Sequence, residues 1–518
     1  ALLESKWAEF IGAINRVGRE TFGVECKKAK VIPGWNHHVK NLYRCSREAF
    51  KQWRRQGAER HGEDAERMRS ARADFKYALR QCRRDEEAMR AEAMSRRLAS
   101  GNSRAFWRSV SGSSGGAAAR PDRIGGAVGD KDIANMWAAK YGSILNSLED
   151  EAHRKEFFRH YNHIEDEYID HVTVEEIKTI IDKLKDGKAV GLDNVPNEFY
   201  RRCPFIIVVF LSLMSNCFLV HEFLPEAVID AKIMPLLKGK LLDFAISDNY
   251  RPITVSSSFS KIFESIMYNR IQNELHTEDN QFGYKNQIST DMCIFSFKEI
   301  VNYYHKQSSP VYACYMDVKS AFDRTSYYKL FTKLLERGVP RKIVNILRVW
   351  YVNQTICVGW GEQLSHKFHM QNGIRQGSIL SPYLFNVFMD ELNIKLNQSN
   401  LGCHIANIPM NNLSWADDLV IITPSSHALC GMLAVCESFA RNHLMIFNTK
   451  KTKCMLFNSR HSTVYQKPII KLCGKVLEFV DNFTYLGHII SSNLTDDEDV
   501  MNQNRKLCAR GNMLVRKI

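Results

Sequence analysis

Beyond about residue 172, the chain combines two hydrophobic patterns, of which the first has helical spacing. Apolar residues recur at this spacing after Ser326, Pro340 and Ser381, and Ser, Thr and Pro are favoured at the first turn of a helix. We predict one helix from Ser326 to Arg337 that ends at Gly338, one that starts at Pro340, and one over residues 381–396 with Ser381 as its N-cap.

The second pattern is a set of short apolar runs, which predict strands. Residues 311–318 are apolar enough for a buried strand, and residues 355–371 have the pattern of a hairpin. A second hairpin is predicted over residues 411–423, with two acidic residues at its tip. Because helices and strands do not alternate regularly, the pattern indicates an α+β fold rather than a doubly wound sheet.

The N-terminal part has a different character. Residues 35–109 are rich in Arg and Ala with apolar residues spaced among them, which predicts one or two long basic helices. These helices would either expose a solvated face or bind nucleic-acid phosphates. Residues 111–126 have the low complexity of a flexible linker and predict a domain boundary.

Composition narrows the class of protein. The 518 residues predict two or three subdomains. A formal net charge of +14 favours a polyanionic partner. The 14 cysteines form no C-x-x-C pair, which is typical of reduced thiols. The most apolar run, residues 205–220, is short for a membrane span and predicts a buried helix, so no membrane association is expected.

Carboxylates follow two of the apolar runs. Asp317 ends one run, and Asp417 and Asp418 lie about 100 residues further along. Either acidic stretch alone is explained by a hairpin turn. If both strands deliver their acids to one place, the carboxylates repel one another unless divalent cations neutralise them. The pair of stretches therefore predicts a two-metal nucleotidyl-transfer site.

The order of short motifs resembles the reverse transcriptases of non-LTR (LINE-type) retrotransposons, from about Trp35 to the C-terminus. The resemblance rests on eight blocks in the family's order: KAVGLD at 188–193, IMPLLK at 233–238 leading to NYRPI at 249–253, QFGY at 281–284, YMDVKSAFD at 315–323, GIRQGSILSP at 373–382, WADD at 415–418, NTKKT at 448–452 and FTYLG at 483–487.

The resemblance implies a right-hand polymerase fold, with fingers, a palm built on an antiparallel sheet, and the start of a helical thumb. The expected segments are a basic helical N-terminal extension at 1–110, a linker with connecting helices at 111–165, fingers and palm at 166–470, and a primer-grip-like hairpin with the start of the thumb at 471–518. The chain has no initiator Met, so we expect a fragment. No endonuclease domain precedes the polymerase, so the fragment is not expected to nick its own target.

The resemblance also implies the catalytic groups. Asp317 and Asp417 would bridge two Mg²⁺ ions, with Asp418 as an auxiliary acid and the Val318 carbonyl as a further ligand. Oxygen ligands favour Mg²⁺, with Mn²⁺ as a substitute. Lys451, or alternatively Lys450, would protonate or stabilise the departing pyrophosphate.

A second set of residues would bind the incoming nucleotide. By resemblance, Phe322 is a steric gate against the 2′-hydroxyl, and Lys238 and Arg251 neutralise the triphosphate. Gln376 and Gly377 would approach the nucleotide or template. The alternatives are core packing for Phe322, a surface ion pair for the two cations, and a plain turn for the last two residues.

The third set would contact primer or template. By resemblance it comprises Trp415, Phe483, Tyr485, Leu486 and Gly487. A surface hairpin is the alternative for the last four. Trp415 departs from the Tyr or Phe that usually precedes Ala-Asp-Asp in the family, but its indole could pack against the primer end. For Asp323 we prefer the role of a structural carboxylate near a helix start.

We therefore expect an RNA-directed DNA polymerase that extends a target-DNA primer with dNTPs on the element's RNA, in the nucleus by resemblance. The alternatives are a catalytically inactive remnant that binds RNA, a group II intron or telomerase-type reverse transcriptase, and an RNA-dependent RNA polymerase. The last must accept a ribose 2′-hydroxyl, against which Phe322 argues.

Overall fold

The computed structural model describes residues 1–22, 35, 37–110, 121–165, 167–239, 242–458 and 467–515. Contacts divide the chain into two units, one formed by Ala1–Val17 with Pro121–Asp499 and the other by Gly18–Arg120 with Val500–Ile518. This division is coarser than the four predicted segments, whose boundaries remain predictions.

The helices are α1 (Leu2–Phe22), α2 (His37–Arg55), α3 (Glu63–Arg84), α4 (Glu86–Ala99), α5 (Ser103–Val110), α6 (Asp130–Leu145), α7 (Glu151–Tyr161), α8 (Val174–Lys183), α9 (Asn197–Arg202), α10 (Phe205–His221), α11 (Glu226–Ile229), α12 (Ser258–Ile271), α13 (Thr290–Lys306), α14 (Tyr327–Glu336), α15 (Arg341–Asn353), α16 (Ser381–Gln398), α17 (Ser426–Asn442) and α18 (Asp497–Val515).

The strands are β1 (Arg123–Ile124), β2 (Ala127–Val128), β3 (Ala231–Leu237), β4 (Tyr250–Ser256), β5 (Val311–Met316), β6 (Thr355–Trp360), β7 (Gln363–Leu364), β8 (Phe368–His369), β9 (His404–Ile405), β10 (Ile408–Pro409), β11 (Asn412–Trp415), β12 (Asp418–Thr423), β13 (Lys453–Phe457), β14 (Lys471–Leu472), β15 (Lys475–Val476), β16 (Glu478–Phe479), β17 (Asn482–Tyr485) and β18 (His488–Ser491). Two short 3₁₀ turns cover Ser247–Asn249 and Phe322–Arg324.

The larger unit contains a central sheet with the strand order β11-β12-β5-β13-β16. Its first four strands are antiparallel, and β16 joins β13 in parallel. Tyr312 and Cys314 of β5 pack into one hydrophobic core, whereas Ala313 and Tyr315 pack into a second core. Because successive side chains of a strand point to opposite faces, a sheet buried on both faces needs a continuous apolar run. This explains why residues 311–318 have no polar alternation.

A second sheet in the same unit has the order β4-β3-β6-β7, with β8 also paired to β6. Strands β3 and β4 are antiparallel, and their register places Leu236 opposite Arg251. Strand β6 lies parallel to β3. Together with the helices of the unit, the two sheets confirm the predicted α+β class.

Most predicted elements of this unit are present, with small shifts at their ends. The Ser326 hydroxyl accepts a hydrogen bond from the Lys329 amide, as expected of an N-cap. Ser381 is not the N-cap of α16, because Leu380 holds that position. The Ser381 amide donates instead to the Ser378 hydroxyl, so the capping oxygen comes from three residues upstream.

The basic N-terminal region forms four helices, α2 to α5, rather than the one or two that were predicted. A loop at residues 56–62 separates α2 from α3. Gly57 and Gly62 in this loop have φ angles of 90° and 120°, which other residues rarely adopt. The ring centroids of Tyr43 in α2 and Phe75 in α3 lie 5.4 Å apart.

Two further expectations concern the linker and the apolar run. Residues 111–120 of the predicted linker lie outside the described residues, and the following segment forms the β1–β2 hairpin rather than a linker. Helix α10 covers the predicted buried helix, but Ile206 and Leu213 are exposed. In the part of the chain that the structure describes, no helix is long and apolar enough to span a membrane.

Candidate functional site

The acidic residues converge at one end of the central sheet. Leu419 of β12 pairs with Met316 of β5, so the same register carried one residue further brings Asp418 opposite Asp317. Trp415 pairs with Asp418 across the β11–β12 hairpin, which leaves Ala416 and Asp417 as its two-residue turn. The predicted hairpin tip is thus present, with Asp418 at the first position of β12.

A buried glutamine holds this turn. Gln281 is fully buried, and its side-chain oxygen accepts hydrogen bonds from the backbone amides of Gly283 and Ala416, both at 2.9 Å. Ala416 has a φ of 57°, a conformation that costs free energy for a residue with a Cβ atom. A Cβ atom on Gly283 would lie 2.6 Å from the Ala416 nitrogen. The QFG motif therefore fixes the turn that carries Asp417.

The basic partner of the acids comes from the segment before β13. Lys453 pairs with Tyr315, but this register changes before Asp317, because Val318 bridges to Phe447 and residues 449–451 form a turn. The Asn448 amide donates to the Asp317 carbonyl at 2.8 Å, and the Asp317 amide donates to the Thr452 hydroxyl at 3.3 Å. These bonds tie the NTKKT motif to the end of β5.

Asp317, Asp418 and three lysines open onto one cavity of about 430 Å³. Its lining comprises Tyr315, Met316, Asp317, Asp418, Leu419, Lys450, Lys451, Lys453, Phe483, Thr484 and Tyr485. Both candidate lysines therefore face the same space as Asp317 and Asp418, and the assignment of Lys451 stays a prediction.

Burial and neighbouring carboxylates raise the pKa values of two of the acids, Asp417 and Asp418. Burial, followed by the charges of Asp418 and Asp317, raises the pKa of Asp417 to about 6. Burial and the charge of Asp317 likewise raise the pKa of Asp418, while Arg251 acts in the opposite direction on both groups. Mutual repulsion is the electrostatic signature of a site that attracts cations.

Arg251 lies on β4 of the second sheet, and Lys238 directly follows β3 of the same sheet. Partial burial, followed by the charges of Lys451 and Arg251, lowers the pKa of Lys238. The Lys238 ammonium donates to the Asp248 carbonyl at 2.6 Å. The structure thus groups Lys238, Arg251 and Lys451 near the acids, as the prediction of a triphosphate site requires.

Phe322 follows β5 and is partly buried. Its ring stacks on Phe385 with centroids 4.3 Å apart. The stacking holds the ring in place, and part of the side chain stays accessible. The role of Phe322 as a steric gate stays a prediction.

A loop beside Phe322 contains Gln376 and Gly377. The side-chain nitrogen of Gln376 donates to the Asp323 carboxylate at 3.0 Å. The backbone carbonyl of Gln376 accepts a hydrogen bond from the Thr254 amide at 2.8 Å. A Cβ atom on Gly377 would lie 3.1 Å from the Thr254 carbonyl. The loop therefore joins the segment after β5 to the second sheet. Asp323 has a structural role there, and it also orients the Gln376 side chain.

The predicted primer hairpin is present as β17 and β18. Leu486 and Gly487 form its two-residue turn with φ angles of 50° and 87°, as expected of a tight hairpin. Phe483 stacks on Tyr315 at 4.4 Å. Tyr485 is 3% exposed and packs in the core, so its ring is unavailable for the primer contact that was predicted for it.

The donor set of the site fits divalent cations without forming a closed ligand cluster. Asp317, Asp417 and Asp418 supply oxygen ligands, which Mg²⁺ and Mn²⁺ prefer. Val318, the fourth predicted ligand, is buried and bridges to Phe447. Among the described residues, no group of three His, Cys, Asp or Glu side chains is already arranged to hold an ion.

Sequence reasoning left three contributors without a role. Gln281 and Gly283 belong to the QFGY motif, but neither had an assigned function. The glycine close to an amide side chain was the sequence signal that could have revealed their role. Arg375 is fully buried, and its guanidinium donates to Gln354 at 2.8 Å and lies over the ring of Trp350. This buried arginine precedes Gln376 in the sequence and holds the loop in place. No sequence pattern predicted that role.

The reverse transcriptase (RNA-dependent DNA polymerase) family matches residues 238–490. An RNA-directed DNA polymerase from the mobile element jockey of Drosophila funebris is 26% identical over 63% of this chain and 36% of its own length. A probable RNA-directed DNA polymerase from transposon BS of Drosophila melanogaster is 27% identical over 62% of the chain and 36% of its length.

A Pol polyprotein from the type-1 retrotransposable element R2 of Popillia japonica is 28% identical over 51% of the chain. The chain spans little more than a third of the length of these relatives. Among solved structures, an apo telomerase from Candida tropicalis aligns with a TM-score of 0.37 at 16% identity, over 56% of this chain and 59% of that one.

Proposed function

Because the chain carries a reverse transcriptase domain of the non-LTR retrotransposon type at residues 238–490, we propose that it extends a primer 3′ end with dNTPs on an RNA template. Within its parent protein the primer is target DNA, the template is the element's own transcript, and the reaction takes place in the nucleus. The observation that carries the proposal is that Asp317 and Asp418 meet a lysine-lined cavity at one end of a sheet, next to the turn that carries Asp417.

The carboxylates are the groups that would hold divalent metal ions, two Mg²⁺ in our proposal, with Mn²⁺ as a substitute. Bound there, the ions would activate the primer hydroxyl and neutralise the triphosphate. The chain's own contribution is to hold Asp317 and Asp418 on paired strands and Asp417 on a turn that Gln281 fixes. This rigidity keeps the ligands in place without reorganisation during the reaction.

The cations complete the site. Lys238 and Arg251 bind the triphosphate, because ammonium and guanidinium groups match phosphate oxygens. Lys451 neutralises or protonates the departing pyrophosphate, which its place beside Asp317 in the cavity lining supports. Lys450 shares the cavity and is the substitute if Lys451 proves dispensable.

Selection of the sugar falls to Phe322. Its ring is held against Phe385, so it cannot retreat into the core to admit a 2′-hydroxyl. This supports DNA synthesis over RNA synthesis. Gln376 lies beside it with its amide nitrogen bound to Asp323, which directs its free oxygen to accept a hydrogen bond from the nucleotide or template.

One observation favours a second function, binding of RNA without synthesis. Helices α2 and α3 belong to a separate unit rich in arginine. A cationic helical surface binds phosphates with an affinity that falls steeply as salt rises. A remnant with this unit intact would retain RNA even if its polymerase site were inactive.

The test is primer extension on an RNA template with Mg²⁺ and dNTPs, repeated with NTPs and with EDTA. We expect metal-dependent incorporation of deoxynucleotides and poor incorporation of ribonucleotides. Salt-dependent RNA binding with no incorporation in either Mg²⁺ or Mn²⁺ would instead support the second function.

A further inference from the structure

Helix α6 belongs to the polymerase site although it lies outside residues 238–490. The amides of Gln371 and Asn372 both donate to the Leu145 carbonyl at 3.0 Å, and the Asn372 side chain donates to the Ile144 carbonyl at 3.1 Å. These carbonyls are at the C-terminal end of α6. The helix is therefore fixed to the loop that continues into Gln376.

One turn before that end, α6 presents a lysine to the nucleotide side of the site. The Lys140 ammonium contacts the Asp248 carboxylate at 2.5 Å and donates to the Ser247 hydroxyl at 2.8 Å. It also lies 5.6 Å from the ring centroid of Trp137. Lys238 donates to the backbone carbonyl of the same Asp248 at 2.6 Å. Two ammonium groups thus bind one acidic residue from two directions.

The two partners of this ion pair differ in their freedom to move. The Lys140 side chain is 25% exposed, whereas the Asp248 side chain is 87% exposed. Asp248 lies in the turn Ser247–Asn249 just before β4, so a small rotation of its side chain suffices to break the pair. The lysine is held on a helix that is itself fixed to the site.

The surrounding charges are mostly positive. The hydrogen bond and charge of Lys140, together with the charges of Lys238 and Lys319, hold the pKa of Asp248 below its ordinary value despite some burial. Lys140 also adds to the charges that lower the pKa of Lys238. Asp248 is thus an anion among lysine side chains that, without it, would be left to interact with the proposed triphosphate.

We propose that Lys140 is a triphosphate-binding residue and that the Asp248 carboxylate holds its place in the nucleotide-free protein. When a triphosphate binds, its oxygens replace the carboxylate on Lys140, and Asp248 turns toward solvent. This inference rests on the proposed polymerase function. It assigns a nucleotide-binding role to a helix outside residues 238–490.

The rival explanation is that the Lys140–Asp248 pair only fastens the turn before β4. The two explanations predict opposite effects for Asp248→Asn. If Lys140 binds triphosphate, Lys140→Gln weakens nucleotide binding while Asp248→Asn strengthens it, because the carboxylate no longer competes. If the pair is a fastening, both substitutions weaken binding alike. Lys131→Gln is the matched control, because Lys131 lies on the same helix and donates to the Leu364 carbonyl instead.

The experiment measures the KM for dNTP and kcat in primer extension, together with direct calorimetric titration of a dNTP and of pyrophosphate with Mg²⁺. We expect Lys140→Gln to weaken binding of both probes about tenfold, the loss of one charge-assisted contact, with kcat nearly unchanged. Asp248→Asn should tighten binding about threefold, an order-of-magnitude expectation for removing a mostly exposed competing charge. Lys131→Gln should match the wild type.

Weaker binding in Asp248→Asn, or unchanged binding in Lys140→Gln, would overturn the assignment of Lys140. Failure of the wild type to extend a primer would overturn the proposed function instead. The titrations would still decide the role of Lys140 in that case, because they do not depend on synthesis.

Discussion

Replacing Asp323 by Asn should stabilise the protein at neutral pH. Burial raises the pKa of Asp323 to about 6 from an ordinary value of 3.8, although its hydrogen bond from Gln376 and the charge of Lys238 oppose the rise. The folded state therefore binds a proton more tightly than the unfolded state. Asn keeps the oxygen that accepts from Gln376 and removes the charge.

The magnitude follows from the difference of about 2 pKa units. At 1.36 kcal/mol per unit, the charged carboxylate costs the folded state about 3 kcal/mol above pH 6. Because the folded pKa is the higher one, the wild type has its full stability from this group below pH 4 and loses it as pH rises to 6. This net shift already includes the hydrogen bond from Gln376, so Asp323→Asn, which mimics the neutral carboxyl group, should gain about 3 kcal/mol at pH 7.5.

The assay is thermal unfolding of both proteins between pH 4 and pH 8, with Asp182→Asn as a control because Asp182 forms an exposed ion pair with Lys178. A gain of about 3 kcal/mol corresponds to a Tm difference of a few degrees. The difference should shrink as pH falls through 6 and vanish near pH 4. A Tm difference that does not change with pH, or a wild type that is the more stable at pH 7.5, would refute the reasoning.

Three further predictions concern the turn and the sugar gate. Gln281→Leu leaves the buried amides of Gly283 and Ala416 without an acceptor, so it should cost about 3 kcal/mol of stability in denaturant unfolding. Nucleotide incorporation should fall by more than the loss of folded protein explains. Unimpaired stability would contradict the role of Gln281. Gly283→Ala should reduce single-turnover incorporation at least about tenfold, because the added Cβ atom displaces Ala416, whereas Gly12→Ala, with open space around it, should leave incorporation unchanged. Phe322→Ala should reduce the preference for dNTP over NTP in competitive primer extension, and an unaltered preference would mean that Phe322 only packs.

Local patterns predicted the central sheet well. The run at 311–318 and the hairpin around Asp417 and Asp418 are apolar strands with acidic residues at one end. A strand that is buried on both faces needs a nearly continuous apolar sequence, so the pattern is easy to recognise. The register between β5, β12 and β13 then follows from pairing. The resemblance supplied which residues to seek, and the pairing of β5 with β12 brought Asp317 and Asp418 together.

Contacts between distant segments were not predictable. The bond from Ala416 to Gln281 joins residues 135 positions apart, and Lys140 meets Asp248 over 108 positions. No periodicity encodes such contacts, because they depend on how complete elements pack. The same limit explains Tyr485, which looked like a surface aromatic in its motif but turns into the core beside Tyr315.

The central claim is that Asp317, Asp417 and Asp418 form the site of nucleotide addition. The most direct test is single-turnover incorporation of one dNTP on an RNA–DNA duplex by Asp417→Asn, beside Asp182→Asn and with duplex binding measured for each protein. We predict that Asp417→Asn loses incorporation while it retains duplex binding and fold, and that Asp182→Asn behaves as the wild type. Incorporation by Asp417→Asn at the wild-type rate would contradict the account.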